Sequence, residues 1–214
     1  MISALVPAKT LGEAKGRLAE VLSASERRQL ALAMLEDVLT TLRAVPAITG
    51  VAVVSPDSAV SDLVARLGAT PIAESANVSG INQALKRAVS VMSPRPDALI
   101  VVPSDLPEIT PRDIEIVLAA LPERGVAGAP SKDGGTSALA LRPPDVIGFH
   151  FGVNSFAAHQ REAEKAGVPM RVVESDAFAR DIDSPDDLRE LLRHPANTAT
   201  QRLLKKLALA ERFA

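Results

Sequence analysis

The alternation of two kinds of segment along the 214-residue chain predicts an α/β layered fold. Short apolar runs rich in valine, isoleucine, alanine and leucine recur, and each is followed by a longer segment with helical spacing. A sheet covered by helices produces this alternation. The runs that we expect to form strands span residues 2–6, 51–54, 69–73, 98–102, 126–129, 137–141 and 170–173.

The first predicted helix is indicated by its periodicity and by its first residues. One apolar stripe, with members four positions apart, can cover a sheet. It consists of Leu30, Met34, Val38 and Leu42. Ser23, followed three residues later by Glu26, forms the pattern of a capping box. A helix is therefore expected to begin directly after Ser23.

Three further helices are predicted towards the end of the chain and in its middle. Ser184 and Pro185 supply a cap residue and a proline at the first helical position, and Asp186 and Asp187 place two carboxylates in the first turn. The other two helices are expected over residues 82–91 and 155–166.

The tail over residues 189–212 is basic and carries an apolar stripe. The stripe consists of Leu203, Leu204, Leu207 and Leu209. A terminal helix packed on the body of the protein is the favoured interpretation, since such stripes are usually core. A contact between copies of the chain, and hence a homodimer, is the alternative.

Composition excludes several classes of function. Lys and Arg number 24 against 26 Asp and Glu, a net charge of −2, so no basic field exists to hold nucleic acid or an anionic membrane. The absence of cysteine excludes disulfides, thiolate metal sites and cysteine nucleophiles. No apolar run reaches the roughly 18 residues needed to span a bilayer. We expect one cytoplasmic domain over residues 1–214, with a helical tail at about 189–214.

A cationic loop follows the first predicted strand. Residues 7–18 contain Lys9, Lys15 and Arg17 together with two glycines. Ligands of open α/β sheets bind beyond the carboxyl ends of the strands, so these cations are placed to meet phosphates. A solvated basic loop is an equally weighted alternative, because exposure is the ordinary state of Lys and Arg.

Three aspartates are candidate ligands of a hard cation. Asp105 follows a buried central strand, where a magnesium ion can be held against substrate phosphates. Its alternative, a turn or cap aspartate, is weakened because Thr110 supplies a better cap further on. Asp181 and Asp183 project to one side of an extended segment and could share an ion. The alternative for this pair is an ordinary loop, which aspartate also favours.

Two glycine-containing segments are candidate anion sites. Gly134 and Gly135 lie directly ahead of Thr136 and Ser137, so their backbone N–H groups could form a nest, although a plain hairpin turn is equally consistent. The segment from Phe151 to Phe156 precedes a helix whose N-terminus could take a phosphate. His159 lies one turn inside that helix and could face the same site, although a structural histidine is the favoured interpretation.

Taken in order, ten segments of the chain carry a resemblance to one family. They are VPAK (6–9), AKGRL (14–18), ERR (26–28), AMLEDVL (33–39), VVSPD (53–57), GINQAL (80–85), SDLP (104–107), GGTSAL (134–139), the 151–159 segment with FG, SF and histidine, and DIDSPDDL (181–188). Together they resemble the 2-phospho-L-lactate guanylyltransferase family of coenzyme F-420 biosynthesis, a branch of the MobA-like nucleotidyltransferases.

This resemblance implies a single Rossmann-like α/β/α domain of the MobA-like, GT-A type with a mostly parallel mixed sheet. It also implies transfer of GMP from GTP to the phosphate of 2-phospho-L-lactate, phosphoenolpyruvate or 3-phospho-D-glycerate, with Mg²⁺ as cofactor. These three acceptors are not separated by the sequence. A hand-off of the product to the downstream transferase is a further expectation.

The resemblance also assigns roles to individual residues. The catalytic residues would be Lys9, Lys15, Arg17 and Asp105. The nucleotide would be bound by Pro7, Ala8, Lys9, Lys15, Gly80, Asn82 and Asp105. The acceptor would be bound by Thr136, Ser137, Gly152 and Ser155, and the metal by Asp105, Asp181 and Asp183.

Two alternative functions carry less weight. A MobA-like enzyme acting on a sugar phosphate or a molybdopterin usually has a Gly-x-Gly-x-Arg loop after the first strand, whereas this chain has Pro7, Ala8 and Lys9. A non-catalytic nucleotide-binding module would be expected to lose an acidic ligand, and all three candidate aspartates are present.

Overall fold

The predicted strands form one sheet in the computed structural model, which describes residues 1–12, 15–74 and 80–213. Ala14 of the quoted loop segment and the last residue of the predicted tail lie outside this range. The described strands are β1 (Ile2–Pro7), β2 (Ile48–Ser55), β3 (Thr70–Ala73), β4 (Ala98–Val101), β5 (Gly125–Pro130), β6 (Thr136–Arg142) and β7 (Met170–Val172). Each overlaps one of the predicted runs.

The sheet has the strand order β3-β2-β1-β4-β6-β5-β7. Strands β3, β2, β1 and β4 are parallel neighbours, and β7 is parallel to β5. Strand β6 runs antiparallel to both β4 and β5. This confirms the prediction of a mostly parallel mixed sheet. Burial on both faces explains why the strands are almost continuously apolar.

Eight α-helices connect or follow the strands in the described part of the chain. They are α1 (Ala24–Ala44), α2 (Ser58–Arg66), α3 (Ile81–Val91), α4 (Pro111–Ala120), α5 (Ser155–Lys165), α6 (Pro185–Arg193), α7 (Ala199–Lys206) and α8 (Leu209–Arg212). The predicted capping box at Ser23 is formed, and Ser184, predicted as a cap residue, forms a capping box with Asp187. None of the described helices combines the length and the apolar character needed to cross a membrane.

Helices cover both faces of the sheet, which gives three layers. On β1, Ala4 and Val6 pack into the cluster that includes α1, α2 and α4, whereas Leu5 packs into the cluster that includes α3 and α5. Successive side chains of a strand point to opposite faces, so each strand supplies both cores.

The tail is broken into short helices, whereas the sequence predicted one terminal helix. Pro195 follows His194, and a residue before proline is disfavoured in the α region, so α6 ends at Arg193. Thr198 then caps α7, and Ala208, with φ of 49°, separates α7 from α8. Their apolar side chains pack on the start of α1 in a third cluster.

Asp37 fastens this tail to the body of the protein. It is 8% exposed on α1, and its two carboxylate oxygens accept hydrogen bonds from the backbone N–H groups of Ala199 (2.6 Å) and Thr200 (2.9 Å). These N–H groups open α7 and have no partner within the helix. A negative charge at this end is also favoured by the helix dipole.

The topology brings the loops of distant segments to one edge of the sheet. Strands β1, β4 and β5 end there, and β6 begins there because it runs antiparallel to its neighbours. The loops after β1 and β4, the β5–β6 turn and the start of β6 therefore share the edge at which α/β proteins bind ligands.

Replacement of Asp37 by alanine is expected to lower the free energy of unfolding by about 1–3 kcal/mol, because two helix N–H groups lose a charged partner. Urea denaturation measures the change. The matched control is Glu36→Ala, which removes an exposed carboxylate 3.6 Å from Arg202 and is expected to cost about 0–1 kcal/mol. Equal losses in the two variants would show that Asp37 does not fasten the tail.

Candidate functional site

A cavity of about 340 Å³ lies at the carboxyl edge of the sheet. Its size falls in the roughly 300–1,000 Å³ range of small-molecule sites. Most of the predicted site residues line it. Those that line it are Pro7, Ala8, Lys9, Lys15, Asp105, Thr136, Ser137, Gly152, Ser155, Asp181 and Asp183.

Lys15 lies at the centre of the charged side of this cavity. Its Nζ donates hydrogen bonds to Asp105 Oδ2 at 2.7 Å and to Asp183 Oδ1 at 2.6 Å, and its side chain is 9% exposed. Burial lowers the pKa of Lys15, but the two carboxylates outweigh it and hold the pKa above its ordinary value. The ammonium is therefore charged and paired, and the solvated-loop interpretation is wrong for this residue.

The backbone of Lys15 is in the left-handed region, with φ of 57° and ψ of 42°. Such a conformation is uncommon for a residue with a side chain and is held by surrounding structure. Lys15 precedes a 3₁₀ helix over Gly16–Glu20, whose Leu18 is fully buried against the tail. The ion pairs and this anchored turn together hold the loop over the cavity.

Asp181 and Asp183 are brought beside Asp105 by the backbone. The N–H of Ile182 donates to the carbonyl of Asp105 at 3.2 Å, and the Ile182 side chain is buried in the third cluster. Both aspartates consequently line the cavity, which agrees with the predicted extended segment.

Asp181 is the aspartate with an unsatisfied oxygen. Its Oδ1 is buried and has no hydrogen-bond partner among the residues that the structure describes. Burial, followed by the charges of Asp105 and Asp183, raises the pKa of Asp181 to about 6. A buried acceptor without a partner is costly, so a cation at this point would relieve both the desolvation and the repulsion.

The carboxylates fit a hard divalent cation in donor chemistry. Mg²⁺ prefers carboxylate oxygens together with substrate phosphates, and Asp105, Asp181 and Asp183 supply such oxygens around the orphaned Oδ1. As it stands, no group of three acidic or histidine side chains among the described residues is arranged as a metal site. Lys15 instead holds Asp105 and Asp183.

The opposite side of the cavity is formed by the β5–β6 turn. The N–H of Ser131 donates to Gly135 O at 3.1 Å and the N–H of Gly134 donates to Ser131 O at 3.2 Å, so the hairpin turn, one of the two alternatives for these glycines, is formed. Gly134 has φ of 81°, a conformation that favours glycine. The turn places Thr136 and Ser137 on the cavity lining.

The loop before α5 completes this side. Gly152 has φ of 138° and Asn154 has φ of 54°, and α5 begins at Ser155 without a side-chain cap. The N–H of Phe156 donates to Gly134 O at 3.2 Å, which joins the helix start to the β5–β6 turn. A helix N-terminus without a capping side chain favours a negatively charged neighbour.

Asn82 fixes the loop before α5 through both atoms of its side-chain amide. Its Nδ2 donates to the carbonyl of Phe151 at 3.1 Å, and its Oδ1 accepts from the N–H of Phe151 at 2.7 Å. Asn82 and Gly80 lie at the start of α3 but not on the cavity lining, and Arg17 is exposed on the 3₁₀ helix, also off the lining. Their predicted roles with the nucleotide stay predictions.

His159 is buried behind this wall. Its Nδ1 lies 3.1 Å from Thr136 Oγ1, which lies 2.9 Å from Ser155 Oγ, and its Nε2 accepts a hydrogen bond from the N–H of His150 at 3.0 Å. Burial, with a smaller contribution from His150, lowers the pKa of His159 to about 4. The ring is therefore neutral at physiological pH, and it contacts the cavity wall.

Sequence analysis missed Lys132 and Asp133 at this edge. Lys132 Nζ lies 2.5 Å from Asp187 Oδ1, so it joins the β5–β6 turn to the start of α6. Hydrogen bonding to Asp187 raises the pKa of Lys132. Asp133 lines the cavity and accepts from the N–H of Gly135 at 3.1 Å. The available signal was a lysine and an aspartate in succession ahead of two glycines.

A second cavity of about 800 Å³ lies between α3 and the loop after β6. Its lining includes Lys86, Arg95 and Asp145 at exposed positions and is largely apolar elsewhere. The smaller cavity is the better candidate because charged groups from four loops converge there.

Comparison with known proteins identifies relatives over nearly the whole chain. The family model described as "Guanylyl transferase CofC like" matches residues 2–214. A phosphoenolpyruvate guanylyltransferase of Sphaerobacter thermophilus is 45% identical over 193 residues, which is 89% of this chain and 92% of that protein. A 2-phospho-L-lactate guanylyltransferase of Methanothermobacter thermautotrophicus is 34% identical over 204 residues, 95% of this chain and 90% of that protein.

Solved structures support the fold. A crystal structure of a candidate nucleotide-diphospho-sugar transferase from Desulfovibrio desulfuricans superposes with a TM-score of 0.80, covering 99% of this chain and 97% of that chain at 21% identity. At this level of identity the likeness concerns the fold alone. The predicted nucleotidyltransferase fold of the MobA-like type is confirmed.

Asn82→Ala is expected to lower the free energy of unfolding by about 1–3 kcal/mol, because it leaves both backbone groups of Phe151 without their partner. Amide exchange at Phe151 should become faster. Ser90→Ala, an exposed change on the same helix, is the matched control and is expected to shift stability by at most about 0.5 kcal/mol. Unchanged exchange at Phe151 would contradict the role of Asn82.

Proposed function

This chain belongs to the CofC-like guanylyl transferase family, and we propose that it moves GMP from GTP to the phosphate of a small phosphorylated carboxylic acid and releases pyrophosphate. The observation that carries the proposal is the division of one cavity into two sides. One side holds Lys15 among three carboxylates, and the other contains the hydroxyls of Thr136, at the start of β6, and of Ser155, at the start of α5.

The first side suits a nucleoside triphosphate. Lys9 is exposed at the cavity and Lys15 is charged within it, so both can neutralise phosphate oxygens. The ammonium of Lys15 already has carboxylate partners, which orient it before any ligand is present. Binding then needs little reorganisation.

A divalent cation, in this proposal Mg²⁺, would be held by Asp105, Asp181 and Asp183. The buried Oδ1 of Asp181 without a partner supports this, and nucleotidyltransferases generally use a divalent metal. When bound, such an ion supplies charge that stabilises the phosphates between which the group is transferred.

The second side suits an anionic acceptor. Thr136, Ser137 and Ser155 offer hydroxyls, and Gly152 allows close approach of the backbone. An oxygen of the acceptor phosphate attacks the α-phosphorus of GTP, the bond from that phosphorus to the bridging oxygen breaks, and pyrophosphate leaves with the electron pair. The attacking oxygen is already anionic at neutral pH, so no general base is needed, and catalysis consists of alignment and charge neutralisation.

Phosphoenolpyruvate is the acceptor that we propose first. Support comes from the relatives, since the phosphoenolpyruvate guanylyltransferase is 45% identical and the 2-phospho-L-lactate guanylyltransferase 34%. A cytoplasmic location belongs to the same proposal, because GTP and phosphorylated acids are found there. The homodimer and the hand-off to a downstream transferase stay predictions.

Pyrophosphate release from GTP and Mg²⁺ tests the proposal directly. Separate reactions contain phosphoenolpyruvate, 2-phospho-L-lactate or 3-phospho-D-glycerate, and matched reactions replace GTP by ATP or CTP. We expect release with GTP and one of the acids, with phosphoenolpyruvate preferred. Folded protein that releases no pyrophosphate with any of the three acids would contradict the proposed function.

Asp105→Asn is expected to lower metal-dependent kcat by at least about 100-fold, because it weakens a ligand and one of the two partners of Lys15. The matched control is Asp186→Asn, which changes an aspartate whose side chain is 87% exposed on α6 and should keep wild-type turnover. Thermal unfolding confirms that both variants fold. Wild-type kcat in Asp105→Asn would refute the assignment of Asp105.

A further inference from the structure

The buried contacts of His159 settle which of its ring nitrogens carries the proton. The backbone N–H of His150 can only donate, and it points to Nε2 at 3.0 Å. Nε2 therefore presents its lone pair, and in the neutral ring the proton is on Nδ1. Phe151 and His150 pack edge-on against the ring, with centroids 5.2 Å and 5.9 Å away, and hold its orientation.

The proton on Nδ1 determines whether the neighbouring hydroxyls have a proton left to donate to a ligand. Nδ1–H donates to Thr136 Oγ1 at 3.1 Å, and the hydroxyls of Thr136 and Ser155 are 2.9 Å apart. The two hydroxyls have two protons between them. One proton is used in the bond between Thr136 and Ser155. The other has no acceptor among the hydrogen bonds of the described residues.

With the opposite tautomer, neither the Thr136 nor the Ser155 hydroxyl would have a proton free to donate to a ligand. If Nδ1 carried the lone pair, Thr136 would give its proton to the ring and Ser155 would give its proton to Thr136. The pair would then present only lone pairs to the cavity, which would repel an anion. Both side chains line the cavity although Thr136 is only 6% exposed and Ser155 only 1%. The tautomer of His159 therefore sets the hydrogen-bonding character of this wall.

We propose that His159 is a positioning residue, which makes the Thr136–Ser155 pair a hydrogen-bond donor to an anionic oxygen of the acceptor. The identity of that ligand rests on the proposed function. Carboxylate and phosphate oxygens only accept at neutral pH, so a wall with a hydroxyl proton free to donate matches them. The uncapped start of α5 adds the favourable end of the helix dipole at the same place.

The ring stays neutral over the pH range of an assay. Its pKa of about 4 reflects burial and then His150, which itself lies 3.7 Å from Glu162 of α5. His150 and Glu162 are the titratable groups that the contacts of the described residues place around it. Protonation would put an N–H at Nε2 against the N–H of His150, so it would break the arrangement.

The first test is the tautomer itself, measured by nitrogen NMR of the histidines, of which the chain has three. We expect His159 in wild-type protein to show a protonated Nδ1 and an unprotonated Nε2, unchanged between pH 6 and pH 8. A protonated Nε2 would overturn the inference. This readout needs no catalysis, so it stands apart from the proposed function.

The second test is a pair of near-isosteric variants. His159→Asn keeps an N–H near the position of Nδ1, whereas His159→Asp places an acceptor there. We expect the Asp variant to raise KM for phosphoenolpyruvate by about 10–100-fold with KM for GTP changed less than about threefold, and the Asn variant to retain most acceptor binding. Equal effects of Asn and Asp, or equal rises in both KM values, would overturn the proposal.

A double-mutant cycle with Ser155→Ala separates positioning from general packing. Removal of the Ser155 hydroxyl should abolish most of the additional effect of His159→Asp on KM for phosphoenolpyruvate, because both act through the same donor. Additive effects would overturn the proposal. If wild-type protein transfers GMP to none of the acids, the same cycle is run on binding of phosphoenolpyruvate by calorimetry. Non-additive loss there would support the positioning role while the proposed function fails.

Discussion

The ammonium of Lys15 between Asp105 and Asp183 is the interaction on which the rest of the site depends. It joins the loop after β1, the loop after β4 and the segment before α6, which are far apart in the chain. Without it, three carboxylates would face one another in a partly buried place, which raises their energy. Lys15 itself has a left-handed backbone, and a 3₁₀ turn follows it directly. The group that joins these three segments is thus also the one that we propose to neutralise phosphate.

The other side of the cavity is neutral, and hydrogen bonds order it. The side chain of Asn82 hydrogen-bonds to the backbone of Phe151, and the carbonyl of Gly134 accepts from the N–H of Phe156. The ring of His159 hydrogen-bonds to the hydroxyl of Thr136. A ligand between the two sides meets the Lys15 ammonium with its carboxylate partners on one and hydrogen-bond donors on the other. Guanylyl transfer between two anionic substrates needs this combination, because the main barrier is to bring like charges together. The burial of the groups strengthens each interaction.

Much of the site was predictable, because its residues follow the carboxyl ends of predicted strands. Asp105 follows a buried strand, Lys15 follows the first strand, and ligands of such sheets bind at that edge, so their convergence could be expected. The positions of Asn82 and Arg17 could not, because a motif shows which residues occur together but not where each side chain points. Asn82 faces a backbone and Arg17 faces solvent. Lys132 was missed because its partner, Asp187, is distant in the chain.

By itself the sequence determined the layered class, the strands, the capped helix starts and the family, because these depend on local periodicity and on the order of motifs. Only the tertiary structure decided that β6 runs antiparallel, that the tail divides into short helices locked by Asp37, and that Lys15 is shared by two carboxylates. Only from its contacts could the tautomer of His159 be inferred. Each of these features depends on contacts between segments far apart in the chain. Such contacts stabilise the protein only when the sheet has brought the segments together.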